Sequence, residues 1–147
     1  MCGIFGIHLK KLGNYKNNIK KDISIFSKLS RTRGQDTFGL LLSSKNNEKI
    51  YKINTDPSEV FKRKDYENFI NSIFDNLEKN SSFSVVGQTR LVTNGTKFLA
   101  ENNQPIITKN IIGVHNGIIV TDIKNNNSAA NSNNEGHNVK SDSLHLF

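Results

Sequence analysis

The order of periodic segments predicts an α+β fold built on antiparallel sheet. Three observations carry this. Short apolar runs of strand length stand at residues 3–9, 37–44, 49–53 and 82–90. Segments 19–30 and 65–79 instead repeat apolar residues at helical spacing. The runs follow one another as strands, helix, hairpin, helix and hairpins, which favours antiparallel pairing over a parallel βαβ series.

Each element has its own local reason. Residues 3–9 form a short apolar strand in which Gly3 and Gly6 admit close backbone approach. Residues 10–18 are a polar loop. The helix over 19–30 places Ile19, Ile23, Phe26 and Ser30 on one face, supported by Ile25 and Leu29. It ends in Arg31, Arg33 and Gly34, basic residues and a glycine that suit a C-terminus. Residues 37–44 (TFGLLLSS) read as a buried strand, paired through a turn at 45–48 with a strand over 49–53. Asp56 and Pro57 begin a short helix or turn. A second amphipathic helix is expected over 65–79, with Tyr66, Phe69, Ile70, Ile73, Phe74 and Leu77 inward. The strand over 82–90 emerges at Gln88, Thr89 and Arg90, and a loop follows to residue 103. A further hairpin is expected from 105–108 and 110–115, and 118–120 is apolar. Residues 124–138 are a low-complexity, Asn-rich surface loop, and Ser141 or Asp142 could cap a helix start.

Composition narrows the function classes. The chain has 147 residues, enough for one domain, with 35% hydrophobic residues and a mean hydropathy of −0.52. Its Asn pairs, Asn102-Asn103 among them, read as surface. The net charge is +7, yet 16 of the 20 basic residues are scattered lysines with no long basic run. That argues against a nucleic-acid partner. No apolar run approaches the ~20 residues of a membrane span, so no membrane partner is expected. The N-terminus lacks the basic region of a signal peptide. A single cysteine excludes an internal disulfide framework and fits a reducing, cytoplasmic setting. The four histidines show no zinc-ligand spacing, so neither a metal nor a cofactor is expected.

That one cysteine, Cys2, follows the initiator methionine. Removal of Met1 would place a free α-amine beside the thiol, a base and a nucleophile on one residue. Their reference pKa values, about 7.7–8.0 and about 8.5, are close to matched. The bland alternative is a small buried core residue. Attack on a carboxamide also needs donors for the developing oxyanion. Asn116 has a side-chain amide and Gly117 an unobstructed backbone N–H. Arg90 could grip a substrate carboxylate with two parallel hydrogen bonds, and Asp142 could pair with its ammonium. Each has a plainer use: Asn116-Gly117 as a hairpin turn, Arg90 as a surface ion-pair partner, Asp142 as a helix cap.

The joint pattern is more specific. MCGIFGI at 1–7, RGQDTFG at 33–39, GQTRLVTNG at 87–95, VHNGII at 114–119 and SDS at 141–143 occur in that order. Nearly the whole chain resembles the class II (N-terminal-nucleophile) glutamine amidotransferase domain, most closely the glutaminase half of glucosamine-6-phosphate synthase. The resemblance implies a four-layer α-β-β-α sandwich of two antiparallel sheets. It implies that Cys2 is the nucleophile and that Asn116 and Gly117 form the oxyanion hole. It further implies that Arg90 binds the glutamine carboxylate and Asp142 the ammonium. Thr93 and Asn94 would line the glutamine pocket, and Arg33 and Gly34 would form the turn over the nucleophile. Several positions depart from the sugar-phosphate synthases: Leu91 stands for Trp, Asn94 for His and Gln88 for a common His, and the segment Asn102-Asn103-Gln104-Pro105 keeps only the Gln-Pro character of its counterpart. Such domains extend well past the SDS motif, so the chain is expected to be the front part of an amidotransferase.

The expected activity is hydrolysis of L-glutamine to glutamate and ammonia through a Cys2 thioester, the ammonia passing to an acceptor on a synthase domain or subunit, as in amino-sugar synthesis. Two alternatives stay open. One is a non-catalytic remnant or subunit-contact module of the same fold. The other is a related amidohydrolase acting on another amide.

Overall fold

Four strands build the main sheet of the computed structural model, which describes residues 2–45, 47–93 and 96–117. They are β1 (Gly3–Leu9), β2 (Thr37–Ser44), β3 (Asn47–Ile53) and β4 (Phe83–Arg90), ordered β1-β4-β2-β3 with every pairing antiparallel. A second, two-stranded antiparallel sheet joins β5 (Ile106–Ile107) to β6 (Ile112–Gly113). Three α-helices complete the α+β fold of the described residues: α1 (Lys16–Arg31), α2 (Pro57–Val60) and α3 (Lys64–Phe74).

Alternation along the strands divides the main sheet into two unlike faces. Phe5, Phe38, Leu40, Leu42, Phe83 and Val85 turn to one face and pack under Ile19 and Ile23 of α1 and Ile70, Ile73 and Phe74 of α3. Phe38 and Phe83 are fully buried, each side chain worth roughly 1.5–3 kcal/mol of hydrophobic stabilisation. Phe38 also joins an edge-to-face aromatic group with Phe61 and Tyr66. The opposite face carries Gln88 and Arg90 of β4, Gly39 of β2 and Lys52 of β3. There the segment from Ala100 to Gly117 lies across the sheet: Gly39 abuts the backbone of Gln104, and Lys52 Nζ reaches Ala100 O at 3.5 Å. One face is therefore a hydrophobic core and the other a polar interface.

β4 comes late in the chain yet sits between β1 and β2. Its last four residues, Gly87 to Arg90, are buried on both faces, as a central strand covered on both sides requires. Gly87 lies under the Phe5 ring, where a Cβ would collide with it.

The helix boundaries differ from expectation for identifiable reasons. α1 begins at Lys16 rather than Ile19, because a 3-10 turn at Gly13–Tyr15 leads directly into it. The apolar spacing marks only the buried stripe, so the exposed first turn escapes it. Ile25 and Leu29 do not support that stripe; they point to solvent at 42% and 62% exposure. Phe26 is partly exposed but stacks on Phe5. α3 ends at Phe74 rather than near Lys79. Past it the chain tightens into turns, with Asn76 N–H donating to Ile73 O and Leu77 N–H to Phe74 O. Leu77 still reaches the core, and its carbonyl accepts from Lys16 Nζ at 3.0 Å.

A bidentate ion pair ties α1 to α2. Arg31 Nε and Nη2 donate to the two oxygens of Asp56 at 2.6 and 2.8 Å. Asp56 also caps α2 by accepting from Ser58 N–H at 2.8 Å, with Pro57 at the first helical position. The Arg31 guanidinium holds the Asp56 carboxyl well below the usual carboxylate range. Among the described residues no helix is long and apolar enough to cross a membrane. The surface loop expected over 124–138 and the helix start expected near Ser141 lie outside the described residues.

Candidate functional site

The site forms where β1 begins and β4 ends. Gly3 pairs with Thr89, so Cys2 stands beside the end of β4 and on the polar face of the sheet. Three distant segments meet it. Cys2 N–H donates to Asn116 Oδ1 at 3.0 Å. Its carbonyl accepts from Arg33 Nε at 3.2 Å. Its thiol lies 3.9 Å from Leu91 O. Cys2 is only partly buried, whereas a core strand cysteine would be enclosed.

The turn after α1 is held by tight packing and by one carboxylate. Gly34 is buried, and a Cβ there would fall 2.5–2.6 Å from backbone atoms of Thr89, Arg90 and Leu91. Only glycine lets the turn lie flat on the end of β4. Asp36 completes the join: its N–H donates to Arg90 O at 2.9 Å, and its Oδ2 accepts from Val92 N–H at 2.7 Å. On the helix side, Thr89 Oγ1 donates to Ser30 O at 2.7 Å. The peptide at Leu91 is thereby bracketed by bonds on both sides, and its carbonyl is the one that meets the Cys2 thiol.

Asn116 and Gly117 approach from the other direction. The hairpin expected over 105–115 pairs only Ile106 with Gly113 and Ile107 with Ile112. It stops there because the His115 backbone is taken by side chains: Gln88 Nε2 donates to His115 O at 2.8 Å, and His115 N–H donates to Gln104 Oε1. Only the amide oxygen of Asn116 can accept from the Cys2 N–H, which leaves the NH2 end as the donating end of that side chain. Gly117 lies beside the His115 ring, with a hypothetical Cβ 2.7 Å from Nε2.

Arg90 is 4% exposed, which rules out its reading as a surface ion-pair partner. Its Nη1 donates to Asn103 Oδ1 at 3.1 Å. Asn103 is fixed in turn, because its Nδ2 donates to Lys97 O at 2.7 Å. Asn102 donates to Thr96 O at 3.0 Å. The expectation that Asn102-Asn103 is surface is therefore wrong: they are 0% and 3% exposed. Their amides donate to the Thr96 and Lys97 carbonyls, which lie in non-repetitive backbone.

Of the residues singled out from the sequence, Cys2, Arg33, Gly34 and Asn116 come together, with Gly117 adjacent. Arg90 lies on the same sheet face, inside the polar layer. Thr93 is exposed, three residues past β4. Asn94 and Asp142 lie outside the described residues. Asp36, Asn103 and Gln104 join the site without having been expected there from sequence. Asp36 stood inside the RGQDTFG motif, which was the available signal; nothing in the local sequence distinguishes Asn103 from a surface asparagine. Among the described residues no group of three His, Cys, Asp or Glu side chains could hold a metal ion.

Comparison of the chain with protein-family models, with curated proteins and with solved structures finds no match.

Proposed function

We propose that the chain is a glutaminase domain of the class II glutamine amidotransferase type, with Cys2 as nucleophile. The supporting observation is the 3.0 Å bond from the Cys2 nitrogen to the Asn116 side chain, which joins two residues 114 positions apart. The reading carries the four-layer sandwich with it. A helical layer, a four-stranded sheet and a small second sheet on its other face are compatible with that architecture.

In the proposed reaction, removal of Met1 turns the Cys2 nitrogen into an α-amine. The amine takes the thiol proton, and Sγ attacks the side-chain amide carbon of glutamine. The carbonyl electrons move onto oxygen, where the Asn116 NH2 and the Gly117 N–H stabilise the charge. Collapse of the tetrahedral species breaks the C–N bond, and the nitrogen leaves as ammonia with the proton returned by the amine. Water, deprotonated by the same amine, then cleaves the thioester to glutamate. Arg90 binds the α-carboxylate, Asp142 the α-ammonium, and Thr93 and Asn94 line the pocket. The Arg33 bond to the Cys2 carbonyl keeps the nucleophile from rotating away. A reducing cytoplasm keeps the thiol available, and ammonia passes to an acceptor site on a synthase domain or subunit.

Glutamate release from glutamine by the wild type and by Cys2→Ala tests this. Release by the wild type and none by the variant is expected. Equal rates overturn the proposal. A folded wild-type chain that neither binds nor hydrolyses glutamine also overturns it, in favour of a non-catalytic module.

A further inference from the structure

Two buried glutamines hold the backbone of a single residue, one at its N–H and one at its carbonyl. Gln88 donates to the His115 carbonyl and Gln104 accepts from the His115 N–H. They are 1% and 3% exposed. They come from unlike parts of the fold. Gln88 is on the central strand, and the Gln104 backbone rests against Gly39 of the neighbouring strand. The His115 backbone is thus held much as it would be inside a sheet, although it lies past the end of β6. The next residue is Asn116, whose side chain meets the Cys2 nitrogen.

Burying a primary amide is unfavourable unless its polar atoms are bonded. Two such amides converging on one residue engage both of its backbone polar groups. We infer that Gln88 and Gln104 are positioning residues that set the approach of Asn116 and Gly117 to Cys2. This inference rests on the glutaminase reading. They act through His115 and not on the reacting atoms. A primary amide carries no titrating proton, so the clamp itself does not change with pH. Each glutamine has a distinct duty: the donor of Gln88 and the acceptor of Gln104.

Three near-isosteric variants separate these duties. Gln88→Met removes the donor, Gln104→Met removes the acceptor, and Gln104→Glu keeps an accepting oxygen. Each Met variant is expected to lower kcat for glutamate release about tenfold with KM within about twofold, the pattern of a lost transition-state interaction. Gln104→Glu is expected to recover kcat to within about threefold of wild type. Unchanged kcat in both Met variants overturns the inference, as does an equal loss in Gln104→Met and Gln104→Glu.

Amide hydrogen exchange at His115, read by NMR, judges the clamp without turnover and so separates its failure from that of the glutaminase reading. Slow exchange in the wild type and in Gln104→Glu, with exchange about a hundredfold faster in Gln104→Met, is expected. Exchange in the wild type as fast as in Gln104→Met overturns the clamp, whether or not the protein releases glutamate. The same spectra show whether the amides of β4 stay protected, so an unfolded variant is recognised as such and Gln88→Met and Gln104→Glu decide in its place.

Discussion

Replacing Gly34 with alanine adds one carbon where the structure has no room. The new Cβ would fall 2.5 Å from the Arg90 carbonyl carbon, 2.6 Å from Leu91 N and 2.6 Å from Thr89 O. All three are backbone atoms at the end of the central strand, so no side chain can swing aside. The turn itself must lift, straining the Asp36 bonds to Arg90 and Val92. Overpacking costs about 1–3 kcal/mol, and rigid backbone neighbours put this site at ~2–3 kcal/mol. At ~2.1 cal/mol/K per residue, a chain of this length unfolds with an entropy of about 0.3 kcal/mol/K, so ~1 kcal/mol moves Tm by ~3 °C. Gly34→Ala should therefore melt about 6–10 °C below wild type in a circular-dichroism scan. Gly6→Ala is the internal control. Its Cβ would meet only Val85 O, at an ordinary 3.5 Å, and removing a strand glycine stabilises by about 0.5–1 kcal/mol. It should raise Tm by ~1–3 °C. A Gly34→Ala protein melting within ~2 °C of wild type, or a Gly6→Ala protein falling as far, would refute the reasoning.

Two further substitutions probe the joints around the site. Asp56→Ala removes the cap of α2 and should cost ~1 kcal/mol, or about 3 °C, near neutral pH. Arg31 depresses the Asp56 pKa in the folded protein. The contribution of the ionised carboxylate is therefore complete above its unfolded pKa of about 4 and is lost as pH falls toward the depressed folded value. The gap between wild type and variant should be constant from pH 5 to 8 and narrow below about pH 4; an undiminished gap at about pH 3 would contradict the linkage. Thr89→Val deletes the 2.7 Å bond to the Ser30 carbonyl without changing shape. Because Arg33 N–H still reaches that carbonyl at 2.9 Å, the expected loss is only ~1 kcal/mol, about 3 °C. A drop beyond ~8 °C would mean that the Thr89 hydroxyl does more than close the end of α1.

The main sheet and the helices were legible wherever the pattern was local. Alternating or continuous apolar runs identified β1, β2 and β4, and the Ile19–Ile23 spacing identified α1. Boundaries were less legible, because periodicity records the buried stripe and not the hydrogen bonds that begin or end a helix. Lys16 joins α1 through a 3-10 turn, and Leu77 reaches the core from a turn and not from α3. At the site, Cys2, Arg33, Gly34 and Asn116 are among the residues that the ordered motifs and their family resemblance single out. Asn103 and Gln104 are not. Their amides resemble every other amide in an Asn-rich chain, and burial distinguishes them only after the segment has folded onto the sheet.

The sequence by itself determined which residue types are present for chemistry: one thiol next to the N-terminus, a glycine that can lie flat in a turn, and an Asn-Gly pair late in the chain. It also determined the period-two alternation that gives β4 two faces. The tertiary structure decided which face looks where. It turned Phe83 and Val85 to the helices, and Gln88 and Arg90 to the segment carrying Asn116. It also brought the Cys2 nitrogen within 3.0 Å of a side chain 114 residues away. The physical reason is that strand alternation is written in neighbouring residues, whereas the partner of a buried amide is set by packing between segments far apart in the chain.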